Sequence, residues 1–224
     1  MILLAIDCSA NLCAACVYDA QAGKELGRCV LDLGKGHAEH LMGVIAQALQ
    51  QAGKDYAGLD AVAVSTGPGS FTGVRVAVAT ARGLALALKV PAIGVTTLQA
   101  LAAEAADAFP HRAVLAALDA GRGEIHAALY DGEGQLRYGP AVTTLEQAAA
   151  MAKETSPVLA GTAAVLISQA AGRAFDIGAA AATADIATYP RLAAKGAGGE
   201  PRPVYLREAD AKPQAGFVLP RAVP

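Results

Sequence analysis

The chain lacks several features that would assign it at once to a large class of proteins. No stretch approaches the roughly 20 apolar residues that span a bilayer, and Met1 leads into an apolar segment without a charged leader. We therefore expect a cytoplasmic protein that does not enter a membrane. The net charge is −2 with Lys and Arg dispersed, so the sequence predicts no basic face that holds a nucleic acid through its phosphates.

Cysteine is sparse, and its spacing does not form a disulfide framework. Cys8, Cys13, Cys16 and Cys29 all lie in segments that read as strands, which indicates free thiols in a reducing compartment. Cys13 and Cys16 superficially resemble a redox or zinc pair. Residues three apart on a strand point to opposite faces, so we expect these two thiols to diverge and to pack as small buried side chains.

Apolar residues, by contrast, are abundant. They make up 54% of the 224 residues, enough to fill one large domain or two of about 100 residues each. Residues 3–9 and 12–19 predict two strands joined by a tight turn, and a similar pattern begins 112 residues later, with Asp7 and Asp119 closing the first strand of each copy. This repeat predicts two related α/β halves, although chance similarity between alanine-rich strands is the alternative.

The remaining periodicity predicts alternating strands and helices in both halves. In the first half we predict strands at 25–33, 60–64 and 92–95, and helices at 37–52, at 72–88 and from Thr96 or Thr97 to Pro110. In the second half we predict strands at 135–138 and 157–160, a helix near 145–153 and alanine-rich helices up to residue 195. We place the domains at 1–108 and 109–195, with 196–224 as a linker and C-terminal segment that returns to the first domain and ends in a loose tail after Lys212.

The most informative segment, residues 65–75, joins a strand to a long helix through a glycine-rich turn. Its glycines allow close approach of another backbone, and Pro68 stiffens the turn. Ser70 and Thr72 can each cap the helix. A Walker-type phosphate loop requires a lysine where Val74-Arg75 stand, and the glycine spacing around Ser70 does not fit a nucleophile elbow. The turn therefore serves either contact with a partner or packing alone.

The helix predicted at 72–88 is apolar around its whole circumference. Such a helix must be covered on every side, and its alanines and glycines allow another helix to come close. We predict that one face packs on its own sheet and another on a second subunit, with complete burial inside the chain as the alternative. Arg75 lies in the first turn, where the helix dipole disfavours a cation, so we expect a carboxylate beside it.

Together these segments resemble the TsaB family, also called YeaZ, a bacterial subunit required for threonylcarbamoyladenosine modification of tRNA. The resemblance covers nearly the whole chain, and residues 65–75 are its strongest element. Further matching segments are 4–9, 36–41, 82–85, 93–98, 119–125 and 203–207. The resemblance implies an α/β fold of the actin-like or sugar-kinase-like (ASKHA) type, built from a duplicated RNase-H-like unit with a reduced second domain.

The resemblance also implies a noncatalytic scaffold. It would pair with the catalytic paralogue TsaD and the ATPase TsaE in the complex that transfers threonylcarbamoyl to N6 of adenosine 37 in tRNAs reading ANN codons. Contact with tRNA would occur only through the complex, and the free protein would form a homodimer. The partner and dimer interface that we assign on this basis comprises Gly67, Pro68, Gly69, Ser70, Phe71, Thr72, Gly73, Val74, Arg75, Val78, His37, His40 and Leu41.

The catalytic metal site of the paralogue resembles two histidines four apart on a helix after the first repeat, and residues 97–109 contain no histidine. We therefore expect neither a metal site nor catalytic residues. Asp7, Ser9 and Asp119 hold places comparable to the nucleotide-contacting residues of actin-like ATPases. The resemblance thus allows ATP or ADP, bound weakly or at the partner interface, whereas simple capping of turns is the alternative role of the aspartates.

A stand-alone enzyme is the competing hypothesis. An ATP-dependent small-molecule kinase would use the two Asp-ended strands, and a metallopeptidase of the glycoprotease type would use His37 and His40. ATP hydrolysis lost on Asp7→Ala would favour the kinase, whereas stoichiometric zinc or iron lost on His37→Ala would favour the peptidase. We expect neither result.

Overall fold

Two β-sheets form the framework of the computed structural model, which describes residues 1–206. The first sheet has the order β3-β2-β1-β4-β5, in which β1 runs antiparallel to β2 and parallel to β4. Its strands are β1 (Ile2–Asp7), β2 (Leu12–Asp19), β3 (Lys24–Asp32), β4 (Ala61–Ser65) and β5 (Ala92–Val95). The helices of this half are α1 (His37–Ala52), α2 (Phe71–Leu88) and α3 (Thr97–Ala108).

The second sheet repeats the first four strands of this arrangement in the order β8-β7-β6-β9. Here β6 runs antiparallel to β7 and parallel to β9. The strands are β6 (Val114–Asp119), β7 (Glu124–Tyr130), β8 (Leu136–Thr144) and β9 (Val158–Ala160), and the helices are α4 (Leu145–Thr155), α5 (Ala164–Ala171) and α6 (Thr188–Ala194).

The internal repeat predicted from the sequence is confirmed. Strands β1 and β6 begin at Ile2 and Val114 and end at Asp7 and Asp119, so both ends are offset by the same 112 residues. Strand β8 is longer than predicted, because it continues through Gly139-Pro140 to Thr144. A Gly-Pro pair ordinarily ends a strand, which is why the sequence pattern stopped short.

The sheets and helices stack in five layers. Helices α1 and α2 cover one face of the first sheet in a core that contains Ile6, Ile45 and Val74. The opposite face shares a core with α3, α6 and the second sheet, where Leu98 and Val114 are buried. Helices α4 and α5 cover the far face of the second sheet. Because one core spans both sheets, the two halves are packed together rather than joined by a linker alone.

The cysteines of β2 point to opposite faces, as predicted. Cys13 lies in the core beneath α1 and α2, and Cys16 lies in the core between the two sheets. All four cysteines are free and buried. The pair is therefore not a metal or redox pair of the kind that its spacing resembles.

The last described segment crosses back to the first half. Gly199 forms an antiparallel bridge with Gly94 at the edge of β5, with a hydrogen bond of 2.8 Å in each direction. Further on, the amide of Val204 donates to the carbonyl oxygen of Thr66 at 2.9 Å. We call residues 199–206 the C-terminal strap. The tail predicted after Lys212 lies outside the described residues.

Candidate partner-binding surface and interdomain cleft

The glycines of the turn before α2 permit close packing within the chain. A Cβ added at Gly73 would lie 1.9 Å from the carbonyl oxygen of Cys8, and one added at Gly69 would lie 2.1 Å from that of Ser9. The amide of Ser70 also donates to the Ser9 carbonyl at 2.6 Å. Through these contacts the glycine turn packs tightly against the β1–β2 turn. Of the two roles that the sequence left open, packing within the chain is therefore the one observed at Gly69 and Gly73.

Ser70 begins α2 as its N-cap. Its Oγ accepts a hydrogen bond from the amide of Gly73 at 3.2 Å, which satisfies one of the free N–H groups at the start of the helix. Thr72, the other predicted cap, lies inside the helix and is exposed. Helix α2 therefore begins at Phe71.

One side of α2 is buried and the other is exposed. Val74, Ala77 and Val78 pack on the first sheet, which confirms that one face covers its own sheet and rules out complete burial within residues 1–206. Ala79, Gly83 and Leu86 recur at helical spacing on the opposite side and are exposed. Leu86 keeps 83% of its surface exposed, the largest fraction among the exposed large apolar side chains of residues 1–206.

Helix α1 packs beside α2 on the same side of the sheet, and Glu39 is the one Asp, Glu, Lys or Arg on its exposed side. The exposed side of α2 carries Arg75 and Arg82 beside its apolar residues. Met42 is 49% exposed, and Gly43 and Ala46 are exposed next to it. Small residues on neighbouring helices let the backbone of another helix come close. We define the α1/α2 outer face as His40, Met42, Gly43 and Ala46 of α1 with Thr72, Ala79, Gly83 and Leu86 of α2.

Composition and length would also allow α2 to cross a membrane. Among residues 1–206 it is the one helix that is long and apolar enough to do so, and a third of its residues (33%) are buried in the fold. The inner face, including Ala81 and Ala85, lies against the sheet core. The apolar residues of α2 are therefore divided between a face that packs within the chain and a face that is exposed.

Several residues predicted for the interface are corrected by their burial. Val78 is only 3% exposed and Leu41 only 1%, because both face the sheet, so neither can contact a partner in this conformation. The buried members of the predicted set are Gly67, Pro68, Gly73, Val74, Val78, His37 and Leu41. The exposed members, for which the interface role stays a prediction, are Gly69, Ser70, Phe71, Thr72, Arg75 and His40.

The two histidines of α1 do not form a site. His37 is 6% exposed at the first position of the helix, whereas His40 faces outward. The two side chains therefore lie in different environments, and they are not arranged as the peptidase hypothesis requires. Across residues 1–206, no group of three His, Cys, Asp or Glu side chains is arranged to hold a metal ion.

Arg75 is held by aromatic rings and not by the carboxylate that we expected. Its guanidinium carbon lies 3.7 Å from the centre of the Phe71 ring and 5.4 Å from that of Tyr205 in the C-terminal strap. Its Nε donates to the hydroxyl of Tyr205 at 2.7 Å. The electron-rich ring faces stabilise the cation at the start of the helix, and they attach the strap to α2.

A cleft of about 1280 Å³ lies between the two halves. The β1–β2 turn and the glycine turn line one wall, and Asp119, His126 and Thr162 line the other. Ser9 contributes a buried Oγ that has no hydrogen-bond partner within the described part of the chain. Asp119 is exposed, and its Oδ1 accepts from the amide of Gly121 at 2.8 Å, as a turn-capping aspartate does.

Asp7 does not reach this cleft. Its carboxylate is 1% exposed and accepts hydrogen bonds from the amide of Ser9 at 2.8 Å and from the hydroxyl of Thr183 at 2.5 Å. The Thr183 hydroxyl also shares a hydrogen bond of 2.6 Å with that of Tyr189. Both carboxylate oxygens are thus used inside the protein, which contradicts the expectation that Asp7 faces a bound phosphate or metal. Only Ser9 and Asp119 of the predicted nucleotide site line the cleft.

The network of Asp7, Thr183 and Tyr189 fastens the second half of the chain to the end of β1. Burial raises the pKa of the Tyr189 hydroxyl above its ordinary value, so this group stays a hydrogen-bond donor. We expect Tyr189→Phe to lower the free energy of unfolding by about 1 to 2 kcal/mol, because the buried Thr183 hydroxyl loses a partner. Urea denaturation measures this change. Tyr56→Phe, at a half-buried surface position, is the control and should have little effect; equal losses in both variants would contradict the role of the network.

Both sheets contain three antiparallel strands followed by a strand parallel to the third, and the two copies flank a cleft. This arrangement defines an α/β protein of the actin-like or sugar-kinase-like class. A family model described as TsaD, tRNA N6-adenosine threonylcarbamoyltransferase, matches residues 32–194. Two solved structures from Pseudomonas aeruginosa cover 92% of the chain and are themselves covered to 99%. One is YeaZ, with 29% identity and a TM-score of 0.76, and the other is described as similar to peptidase YeaZ, with 30% identity and a TM-score of 0.75.

The curated relatives agree with this placement. The Escherichia coli protein named tRNA threonylcarbamoyladenosine biosynthesis protein TsaB is 34% identical over 131 residues, which is 58% of this chain and 55% of the relative. The Haemophilus influenzae protein of the same name is 34% identical over 127 residues, 55% of this chain and 51% of the relative. The chain thus spans about half the length of the curated relatives that it matches. It belongs to the TsaB (YeaZ) family, within the group of proteins that share the TsaD domain.

Proposed function

We propose that this protein is a noncatalytic scaffold subunit in the cytoplasmic biosynthesis of threonylcarbamoyladenosine in tRNA. It binds a TsaD-type paralogue through the α1/α2 outer face, and the pair acts with a TsaE-type ATPase. The tRNA that is modified at adenosine 37 contacts the complex and not this chain alone. The observation that carries the proposal is the exposure of Leu86 on a helix whose opposite side is fully committed to its own sheet.

The family match supports the choice of a TsaD-type protein as the occupant of this face. Because residues 32–194, which include α1 and α2, match the TsaD model, we expect a TsaD-type protein to carry a similar pair of helices outside its first sheet. Two such faces can pack as a four-helix layer, since Ala79 and Gly83 leave room for a facing helix. The same complementarity lets two copies of this chain associate, so the homodimer and the heterodimer would compete for one surface.

The structure weighs against the enzyme hypotheses. Asp7, on which the kinase version depended, is sequestered by Ser9 and Thr183. The peptidase version depended on His37 and His40, which face different environments. A nucleotide therefore enters the proposal only as a weakly bound ligand that contacts Ser9 and Asp119 in the cleft, or as one shared with the partner at the interface.

The test is to mix the purified chain with the TsaD-type paralogue of the same organism and to measure the molar mass by gel filtration with light scattering. We expect a heterodimer to form at the expense of the homodimer. The measurement is repeated with ATP and with ADP. If the two proteins elute separately under all three conditions, the scaffold proposal fails.

A further inference from the structure

Two buried thiols face each other at the closed end of the β1–β2 hairpin. Cys8 follows the last residue of β1, and Cys13 lies opposite it in β2, one step beyond the pair of Asp7 and Ala14. Their sulfur atoms are 3.9 Å apart, and both residues are 0% exposed. Neither thiol contributes to the surface on which the proposed function depends.

We propose that Cys8 and Cys13 are an oxidative modification site at which a peroxide forms a reversible disulfide. Residues on directly opposed positions of an antiparallel pair have the spacing that a disulfide requires, and the sulfur atoms need to approach to about 2 Å. The path from solvent to the two thiols is short although both are buried, because the connecting residues Ser9, Ala10 and Asn11 line the interdomain cleft. A small oxidant that enters the cleft reaches the thiols when this turn opens, which breaks the hydrogen bond from the Ser70 amide to the Ser9 carbonyl.

The two thiols are unequal, which gives the reaction a direction. The Cys8 thiol donates a hydrogen bond to the Cys13 sulfur. This contact, together with burial, raises the pKa of Cys8, whereas the same hydrogen bond lowers the pKa of Cys13 although burial opposes it. Of the two, Cys13 therefore gives up its proton more readily, so we assign it as the nucleophile and Cys8 as the resolving thiol.

The steps balance with hydrogen peroxide as the oxidant. The Cys13 thiolate attacks one peroxide oxygen, the O–O bond breaks, and hydroxide leaves to give a sulfenic acid on Cys13. The Cys8 sulfur then attacks the Cys13 sulfur, the S–O bond breaks, and the Cys8 proton leaves with the hydroxyl group as water. In sum, two thiols and one peroxide give one disulfide and two water molecules.

Formation of the disulfide would disturb the contacts at the start of α2. The carbonyl oxygen of Cys8 packs against Gly73 so closely that no Cβ fits between them, and the Ser9 carbonyl accepts from the amide of Ser70. Drawing the two sulfur atoms together moves at least one side of the hairpin, and these contacts leave little room for that movement. We therefore expect faster amide hydrogen exchange in residues 70–74 of the oxidised protein than of the reduced protein.

Peptide mapping of the full chain tests the proposal directly. The folded protein is treated with hydrogen peroxide, denatured, alkylated with N-ethylmaleimide and digested with trypsin. Cys8, Cys13 and Cys16 share one peptide, residues 1–24. We expect this peptide to lose two hydrogen atoms and to carry one maleimide, located on Cys16, and to carry three after prior reduction with dithiothreitol.

The other cysteines provide internal controls. Cys16 faces the opposite core, and the Cys29 thiol donates to Oε1 of Gln47 at 3.0 Å, so both should remain alkylated. In Cys8→Ser we expect a sulfenic acid on Cys13 that reacts with dimedone. The proposal is overturned if Cys8 and Cys13 are both alkylated after peroxide treatment, or if the disulfide includes Cys16. The mapping of the unmodified sequence decides this even where Cys8→Ser does not fold.

Discussion

Leu86→Glu is expected to prevent association with the TsaD-type partner while leaving the chain folded. In the free protein the side chain is 83% exposed, so a carboxylate there remains in water and changes the free energy of unfolding little. In the complex the same carboxylate would lose its hydration in an apolar contact, where the nearest cation of α2 is Arg82, one helical turn away on the exposed side of the helix. A loss of roughly 3 kcal/mol or more corresponds to at least about 100-fold in Kd.

Isothermal titration calorimetry measures this loss, and Leu136→Glu is the matched control. Leu136 is a similarly apolar, 48% exposed residue on the edge strand β8 of the other half. Both variants add the same charge, so a nonspecific electrostatic effect would weaken both equally. Normal binding by Leu86→Glu would mean that the α1/α2 outer face is not the docking surface.

Gly73→Ala should destabilise the protein, whereas Gly83→Ala in the same helix should stabilise it. The added methyl group at position 73 would meet the backbone oxygen of Cys8 at 1.9 Å, which forces α2 away from the β1–β2 turn at a cost of about 3 kcal/mol. At position 83 nothing lies within 4 Å of the added atom. There the higher helix propensity of alanine contributes about 1 kcal/mol.

Urea unfolding of the two variants beside the unmodified chain measures these opposite changes. The m value should be the same in all three proteins, since the surface exposed on unfolding hardly changes. Equal midpoints for the two variants would show that the contact between Gly73 and Cys8 is looser than described. The comparison is informative because both substitutions make the same chemical change within a single helix.

Most of the architecture could be predicted from the sequence because the pattern is repeated. The matching positions of Asp7 and Asp119 identified two halves, and hydrophobic periodicity located α1 and β5 at the residues where the structure has them. The sequence analysis expected the C-terminal segment to return to the first domain, but the individual contacts of the strap were less accessible to this reasoning. Its contacts at Gly94 and Tyr205 join positions far apart in the chain, and no local pattern encodes such pairing.

The residues of the candidate site were predicted less well than its location. The apolar circumference of α2 indicated two covered faces, but composition alone did not say which face belongs to the sheet. Val78 was therefore assigned to the partner although it is buried, and Leu86 was missed. Thr72, Ala79, Gly83 and Leu86 follow one another at spacings of seven, four and three residues on the exposed side, so grouping the helix residues by this period separates the two faces.

The interaction partners of two charged side chains, Arg75 and Asp7, were also predicted poorly. Arg75 required compensation at a helix N-terminus, and a carboxylate is the simplest partner in a sequence argument. The rings of Phe71 and Tyr205 supply it in the structure. Likewise, Asp7 has the place of a phosphate-facing aspartate, but Thr183 reaches it from 176 positions away, a contact that only the folded chain shows.

Photo-crosslinking tests the central claim most directly, because it reports which side chains touch the partner. A photoreactive amino acid is placed at position 86 in one sample and at position 165 in another, where Val165 is 47% exposed on α5. After illumination with the TsaD-type paralogue, we predict a covalent heterodimer from position 86, with the attachment site on the paralogue's own outer helices, and none from position 165. Crosslinking from position 165 alone would contradict the account.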